Sequence, residues 1–132
     1  MEHKTLQQRI ELARELHGQG YNCSQCVIMV FDDLHGLSME SAARVAASFG
    51  GGFGGQRQLC GTVSGMGMVL GLKRFAVPGD KKMIYAATQE LSERFKAING
   101  SLVCGELLAS RRKPCMGLIE DAVTLVHNEF CG

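Results

Sequence analysis

A glycine-rich segment that leads into an apolar stretch constrains this chain more than any other feature. From Phe49 to Leu72 it reads FGGGFGGQRQLCGTVSGMGMVLGL, and no charged residue lies between Arg57 and Lys73. Glycine costs a helix interior up to about 1 kcal/mol relative to alanine, yet the apolar part holds glycines at positions 61, 65, 67 and 71. We therefore expect another backbone to lie very close to this helix, or a group other than a side chain to fill the space beside it.

The composition is that of an ordinary globular domain. The chain has 132 residues, 45% of them apolar and 20% charged, with a net charge of +1. This length predicts one domain over residues 1–132, and the scattered charge favours neither nucleic acid nor a membrane as a partner. The charged start of the chain does not resemble a signal peptide, and the longest uncharged run, residues 58–72, is shorter than the roughly 20 residues that span a bilayer. We expect a cytoplasmic protein.

Apolar residues recur at helical spacing along most of the chain, and no segment alternates with a period of two. The sequence predicts an all-α fold: a single-domain bundle of five to six helices, with the glycine-rich loop before a central helix. The predicted helices cover residues 5–17, 22–35, 38–49, 61–75, 80–99 and the segment after Pro114. Expected N-caps are Thr5, Asn22, Ser38 and Asp80. Residues 101–114 are expected to be less regular, and the apolar stripe of the fifth helix comprises Met83, Ile84, Ala87, Leu91, Phe95 and Ile98.

Six cysteines are many for a chain of this length. In a reducing compartment such a set indicates metal binding or redox chemistry rather than structural disulfides. Cys23, Cys60 and Cys115 fall at predicted helix starts, where unpaired N–H groups and the helix dipole stabilise a thiolate. Cys104 and Cys60 each precede a glycine, which lets a backbone N–H approach a sulfur or an anionic group. The residues expected to line such a site without donating sulfur are Gly61, Gly65 and Gly105.

Other interpretations of the cysteines stay open. A free cysteine often packs as a small hydrophobic residue, and Cys26 and Cys131 fit that description best. Cys23-Ser-Gln-Cys26 is also a C-x-x-C at a helix start, typical of a dithiol redox pair, although the strand that precedes such a motif in thioredoxin-like folds is missing. A zinc ribbon would need a second C-x-x-C. The glycine loop lacks the Gly-Lys-Ser/Thr of a phosphate-binding loop, so we expect it to be a chain reversal beside Cys60.

The chain resembles the small bacterial and archaeal redox-active proteins named for the pattern C_GCAxxG_C_C. The match comprises Asn22-Cys23 at a helix start, FGGG at residues 49–52, CGTVSG at residues 60–65, GLK at residues 71–73, Cys104-Gly105 and Cys115. Thr62 stands where the family usually has alanine, which we expect to be a small change, and Cys26 is an additional cysteine. The resemblance implies redox activity. A similar cysteine-rich domain in split-Soret-type cytochromes is thought to hold an iron–sulfur cluster, which favours a cluster over a simple dithiol.

Three functional hypotheses follow. In the first, Cys23, Cys60, Cys104 and Cys115 bind a metal centre, a [2Fe–2S] iron–sulfur cluster, for electron transfer with an unknown redox partner. In the second, the protein is an enzyme, a thiol–disulfide oxidoreductase that uses Cys23 with Cys26 or Cys60. In the third, the cysteines form a structural zinc site or only pack, with no cofactor. Glycine-faced helices are compatible with a homodimer.

Overall fold

The computed structural model describes residues 3–110 and 112–132, and it shows helices joined by short turns. Within these ranges no strand forms, and the all-α prediction is confirmed. Met1, Glu2 and Arg111 fall within the expected single domain but lie outside the described residues. The helices are α1 (Leu6–Gly18), α2 (Cys23–Met29), α3 (Asp32–His35), α4 (Met39–Ala46), α5 (Gly50–Phe53), α6 (Gly61–Arg74), α7 (Lys81–Asn99), α8 (Cys104–Ser110) and α9 (Cys115–Cys131), with 3₁₀ turns at Ala47–Phe49 and Pro78–Asp80.

The starts of α1, α2 and α4 follow directly from the sequence. The Thr5 side chain accepts the backbone N–H of Gln8, and the Gln8 side chain accepts the N–H of Thr5, which completes a capping box on α1. Asn22 and Gln25 make the same reciprocal pair on α2. Ser38 caps α4 through the N–H of Ser41. These three N-cap predictions are confirmed.

The second predicted helix ends earlier than expected. It was expected to continue to His35, but α2 ends at Met29, and the short α3 follows before Gly36 turns the chain at a φ of 80°. The Val30 carbonyl, at the break, accepts a hydrogen bond of 2.6 Å from Nη1 of Arg9. Because a distant side chain satisfies this carbonyl, the helix ladder can stop here without leaving a buried acceptor unpaired. The third predicted helix, α4, likewise ends early, at Ala46, and the chain then continues as a 3₁₀ turn.

Two expectations for the second half of the chain need correction in part. Asp80 is the N-cap residue of α7 as predicted, but its side chain does not cap that helix: the carboxylate accepts the N–H groups of Ala76 and Val77 and stabilises the preceding turn. Residues 101–114 were expected to be less regular, but they contain α8. On α7, Leu91 and Phe95 are buried as predicted.

Other members of the predicted α7 stripe are not buried. Met83 and Ile98 are about half exposed, and Asn99 takes a buried position in their place. The pattern of apolar residues on α7 therefore overstated how much of this helix faces the core.

The core is built around α2 and α6, which pack directly against each other, and α1, α4, α7 and α9 complete the bundle. Close packing depends on two of the four glycines in α6. A Cβ on Gly65 would lie 2.8 Å from the Cβ of Val27, and a Cβ on Gly61 would lie 2.5 Å from the Cys23 sulfur and 2.8 Å from the Phe49 carbonyl oxygen. Positions 67 and 71 have no neighbour within 4 Å of an added Cβ. The expectation of close approach is therefore correct for the first glycine pair and wrong for the second.

A buried arginine of α1 joins the C-terminal end of α2 to α3 and α9. Arg9 is fully buried and donates to both carboxylate oxygens of Asp33, at 2.6 and 2.9 Å, and its Nε donates to Nδ1 of His127 at 3.0 Å. Its guanidinium also lies over the Phe31 ring, 4.6 Å from the centroid. With the Val30 bond added, every nitrogen of the guanidinium has a partner, which a buried charge requires. The periodicity of α1 did not reveal this residue, since a charged side chain on a helix usually faces solvent.

No helix in the described ranges is both long and apolar enough to cross a lipid bilayer.

We predict that Gly61→Ala destabilises the protein by about 1–3 kcal/mol, because the added methyl group would overlap the Cys23 sulfur and a backbone carbonyl that cannot easily move. Gly67→Ala is the matched control and should stabilise the protein by up to about 1 kcal/mol, since its surroundings are open and alanine favours helix. Urea unfolding of the two variants measures both effects. Equal stabilities would contradict the close approach of α2 and α6.

We predict that acid weakens the fold through Asp33. Burial acts to raise the pKa of this carboxyl, but hydrogen bonds from Arg9 and the Lys4 N–H, and the charges of both residues, outweigh it and lower the pKa to about 2. A carboxyl with a lowered pKa stabilises the fold above its ordinary pKa, near 3.8, and this contribution is lost as the pH falls from about 4 to about 2.

Asp33→Asn should cost about 3 kcal/mol at pH 7, because it leaves Arg9 buried without its counter-charge, and it should flatten the acid dependence of the unfolding free energy. Asp32→Asn is the control: its carboxylate pairs with Lys4 in a partly exposed position, and its loss should cost less than about 1 kcal/mol. A steep acid dependence that persists in Asp33→Asn would refute the assignment.

Candidate functional site

Four of the six cysteines line one small cavity. Its volume is about 40 Å³, which makes it a small cavity. Its lining residues are Cys23, Gly51, Arg57, Cys60, Thr62, Cys104, Leu107, Leu108, Cys115 and Leu118; we call this the cysteine pocket. The sequence predicted that these four cysteines would converge, and the structure places all four on the wall of this pocket.

Each cysteine of the pocket comes from the start of a different helix. Cys23, Cys104 and Cys115 are the first residues of α2, α8 and α9, and Cys60 is the N-cap of α6. The sequence predicted three of these helix starts but missed that of α8. Helix α8 is the seven-residue stretch Cys-Gly-Glu-Leu-Leu-Ala-Ser. This stretch is too short for its apolar residues to show a clear helical period.

Backbone pairing brings Cys60 and Cys104 to the same wall. Residues 57–60 run antiparallel to residues 102–105, with a bridge between Leu59 and Val103. The Cys60 N–H donates to the Leu102 carbonyl at 2.8 Å, and the Cys104 N–H donates to the Gln58 carbonyl at 2.6 Å. These reciprocal bonds fix the two cysteines relative to each other, independently of any side chain.

The glycine-rich loop is packed against the pocket. Gly52 has a φ of 72°, a left-handed conformation that favours glycine, and a Cβ there would lie 2.5 Å from the Gln58 nitrogen. A Cβ on Gly50 would lie 2.5 Å from the side chain of Asn22, the N-cap that precedes Cys23. The loop reverses the chain beside the Cys60 site as the sequence predicted, and Gly50–Phe53 is a tight turn in which residues 51, 52 and 53 all have a left-handed φ, not a turn of regular α-helix.

Burial dominates the charge state of two of the thiols. Burial raises the pKa of Cys60, and the nearby Cys23 raises it further, whereas the Thr62 hydroxyl and the N–H groups of Thr62 and Val63 lower it only in part. Burial also raises the pKa of Cys115, as do Cys23 and Cys104, while the charge of Arg57 opposes them. The expectation that helix starts would favour the thiolate is therefore wrong for the net effect at these two residues, because desolvation disfavours any charged form.

Thr62 contacts a cysteine of the pocket directly. Its side chain is fully buried, and its hydroxyl lies 3.1 Å from the Cys60 sulfur. The sequence comparison with the family treated this threonine as a small change from alanine. The structure shows instead that it adds a hydrogen bond to a site cysteine.

Arg57 is a site residue that the sequence did not single out. Its Nη1 lies 3.7 Å from the Cys104 sulfur, and its backbone has a φ of 62°, which is uncommon for a residue other than glycine. The sequence did contain a feature that could have pointed to it: Arg57 is the last charged residue before the apolar helix and lies three residues before Cys60.

The remaining predicted residues lie outside the pocket lining. Cys26 is fully buried in α2, with its sulfur 3.7 Å from the Tyr21 carbonyl, and burial first and the neighbouring Cys23 second raise its pKa to about 12. Cys131 is exposed at the end of α9. Gly65 packs on Val27, and a Cβ on Gly105 would contact the backbone of Arg57. A cofactor-binding role for Gly61, Gly65 and Gly105 stays a prediction.

The pocket has the sulfur ligands of a soft-metal site, but these ligands are not arranged in the geometry that binds a metal ion. Four thiols surround a cavity whose other walls are largely apolar, which suits iron or zinc bound by sulfur. In the part of the chain that the structure describes, however, no three cysteine, histidine or acidic side chains are arranged closely enough to hold a metal ion. Metal ligation by Cys23, Cys60, Cys104 and Cys115 stays a prediction, and it requires the sulfurs to draw inward.

Comparison with known proteins agrees with the four-cysteine pattern. The chain is 25% identical over 129 residues to a protein of Archaeoglobus fulgidus described as "Uncharacterized protein", and the alignment covers 84% of this chain and 85% of that one. No solved structure matches the chain significantly. A family model described as "Putative redox-active protein (C_GCAxxG_C_C)" matches residues 21–129, which include every cysteine of the pocket, and the chain therefore belongs to this family.

Proposed function

We propose that the cysteine pocket is a redox centre in which Cys23, Cys60, Cys104 and Cys115 ligate an iron–sulfur cluster of the [2Fe–2S] type. The observation that carries the proposal is the convergence of four thiols, from four helix starts, on one small cavity. Four thiolates are the usual ligand set of such a cluster. Membership in a redox-active family supports the same chemistry.

The surroundings of the sulfurs support an anionic group at this place. A side chain is missing at Gly61, directly beside the Cys23 sulfur, and Arg57 adds a positive charge near Cys104. Leu107, Leu108 and Leu118 contribute apolar walls that limit water. Low polarity and nearby donors are the means by which a protein sets the potential of an iron–sulfur group.

A bound cluster of this kind supplies one-electron transfer, so the partner would be another one-electron carrier. Cys115 is exposed, whereas Cys60 and Cys104 are buried. The proposal therefore places partner access on the side of the pocket that Cys115 forms. It also places the protein in the cytoplasm, where thiols stay reduced.

We predict that protein purified without oxygen is brown and contains iron in stoichiometric amount, and that Cys60→Ser loses this iron. Cys131→Ser is the matched control: its cysteine is exposed and outside the pocket, so it should retain the iron and the absorption spectrum. Metal analysis and visible absorption measure both. A colourless protein without iron, or full iron retention in Cys60→Ser, would contradict the proposal, and one zinc per chain would make the site structural.

A second candidate function is thiol–disulfide oxidoreduction by Cys23 and Cys60. The specific observation in its favour is that the Cys23 sulfur lies against Gly61, next to Cys60 in the chain. In this reaction a small disulfide accepts two electrons: its S–S bond breaks, two substrate thiols form with the protons of Cys23 and Cys60, and a Cys23–Cys60 bond forms. Cys26 is the alternative partner of Cys23, but it lies outside the pocket lining.

We predict that Thr62→Ala slows alkylation of Cys60 near pH 8 in the metal-free protein. The variant removes the hydroxyl that lowers the pKa of Cys60, so a smaller fraction of this thiol is ionised at a given pH, and the thiolate is the reacting form. Mass spectrometry of the modified peptide over a pH series measures the rate. Thr88→Ala, which removes a hydroxyl bonded to the Ile84 carbonyl of α7, is the control, and equal Cys60 profiles in the two variants would count against the Thr62 contact.

A further inference from the structure

The backbone of Arg57 is held on both sides. Its N–H donates to the Gly51 carbonyl at 3.0 Å, and its carbonyl accepts the Gly105 N–H at 3.1 Å. These bonds hold the residue at a φ of 62°, a conformation that glycine adopts without strain and other residues adopt at a cost. A loop of this shape would favour glycine at position 57, so the backbone does not explain why an arginine stands there.

The side chain of Arg57 faces sulfur instead of a carboxylate. Nη1 is 3.7 Å from the Cys104 sulfur, and the residue lines the cysteine pocket with Cys115. In residues 3–110 and 112–132, Arg57 does not take part in an ion pair.

We infer that Arg57 is an electrostatic positioning residue of the redox centre: its guanidinium offsets the negative charge that the pocket sulfurs carry and raises the reduction potential of the group they form. The inference rests on the proposed function for the identity of that group. The role of the charge itself does not depend on a cluster, because a cation beside sulfur stabilises any reduced, more negative state of the site.

The first test compares Arg57→Gly and Arg57→Lys in the iron-loaded protein. Arg57→Gly removes the charge and also relieves the left-handed backbone, so this variant should fold. Its equilibrium constant for one-electron reduction should fall by about tenfold, which corresponds to a potential lower by about 59 mV. Arg57→Lys should retain most of the wild-type potential. Arg94→Gln removes an equal charge from an exposed pair with Glu90 and should leave the potential unchanged.

The second test uses the metal-free protein and separates this inference from the proposed function. Iodoacetate, an anion, and iodoacetamide, which is neutral, attack the same thiolate, so the ratio of their rates at Cys115 reports the local charge and not the thiolate fraction. Arg57→Gly should lower this ratio by roughly threefold, the effect of one nearby charge in a watery site, whereas Arg94→Gln should not change it.

The outcomes distinguish the two proposals. A protein that never binds iron but shows the reduced alkylation ratio in Arg57→Gly would refute the cluster and keep the role of Arg57. An iron protein in which Arg57→Gly changes neither the potential nor the ratio would keep the cluster and overturn the inference. A ratio that falls equally in Arg94→Gln would also overturn it, because the effect would then come from overall charge.

Discussion

The close contact between α2 and α6 is the constraint on which both the core and the candidate site depend. It exists because Gly61 and Gly65 lack a Cβ where the Cys23 sulfur, the Phe49 carbonyl and Val27 would otherwise clash with it. The helix propensity lost at these glycines is offset by packing against α2, whose residues Cys26, Val27, Ile28 and Met29 are buried and apolar. The same contact that closes the core also sets Cys23 beside the start of α6, so stability and site geometry depend on the same glycines.

The pocket combines opposing electrostatic effects. Burial raises the pKa of Cys60 and Cys115, which disfavours the thiolates that metal binding or nucleophilic attack needs. The Thr62 hydroxyl and the Arg57 guanidinium oppose this effect. Thr62 contacts Cys60, and Arg57 contacts Cys104. At the C-terminal end of α2, by contrast, the buried charge of Arg9 is fully paired with a carboxylate, a carbonyl and a ring nitrogen.

The sequence predicted the helical class, four N-cap positions, the order of the main helices and the set of four cysteines, because each depends on local patterns. It could not predict that α2 ends before Val30, since the Val30 carbonyl left free there is satisfied by a hydrogen bond from Arg9, 21 residues away. Cys104 was expected to lie in an irregular segment because α8 has only seven residues. Arg57 and Thr62 were missed because their importance comes from contact with sulfur, which a charge pattern or a single substitution does not reveal. Met83 and Ile98 were overpredicted instead: they belong to a regular apolar stripe, but no neighbouring element covers them, so they stay about half exposed.

The distribution of the pocket over the chain has a consequence during synthesis. Cys23 lies on the second helix and Cys115 on the last, so about 90 residues separate the first site cysteine from the final one. At translation rates of about 5 to 20 residues per second, Cys23 waits roughly 5 to 20 seconds before the last wall of the pocket is made. During that interval the thiol lacks the neighbours that later enclose it, so the nascent chain is more vulnerable to oxidation than the finished fold.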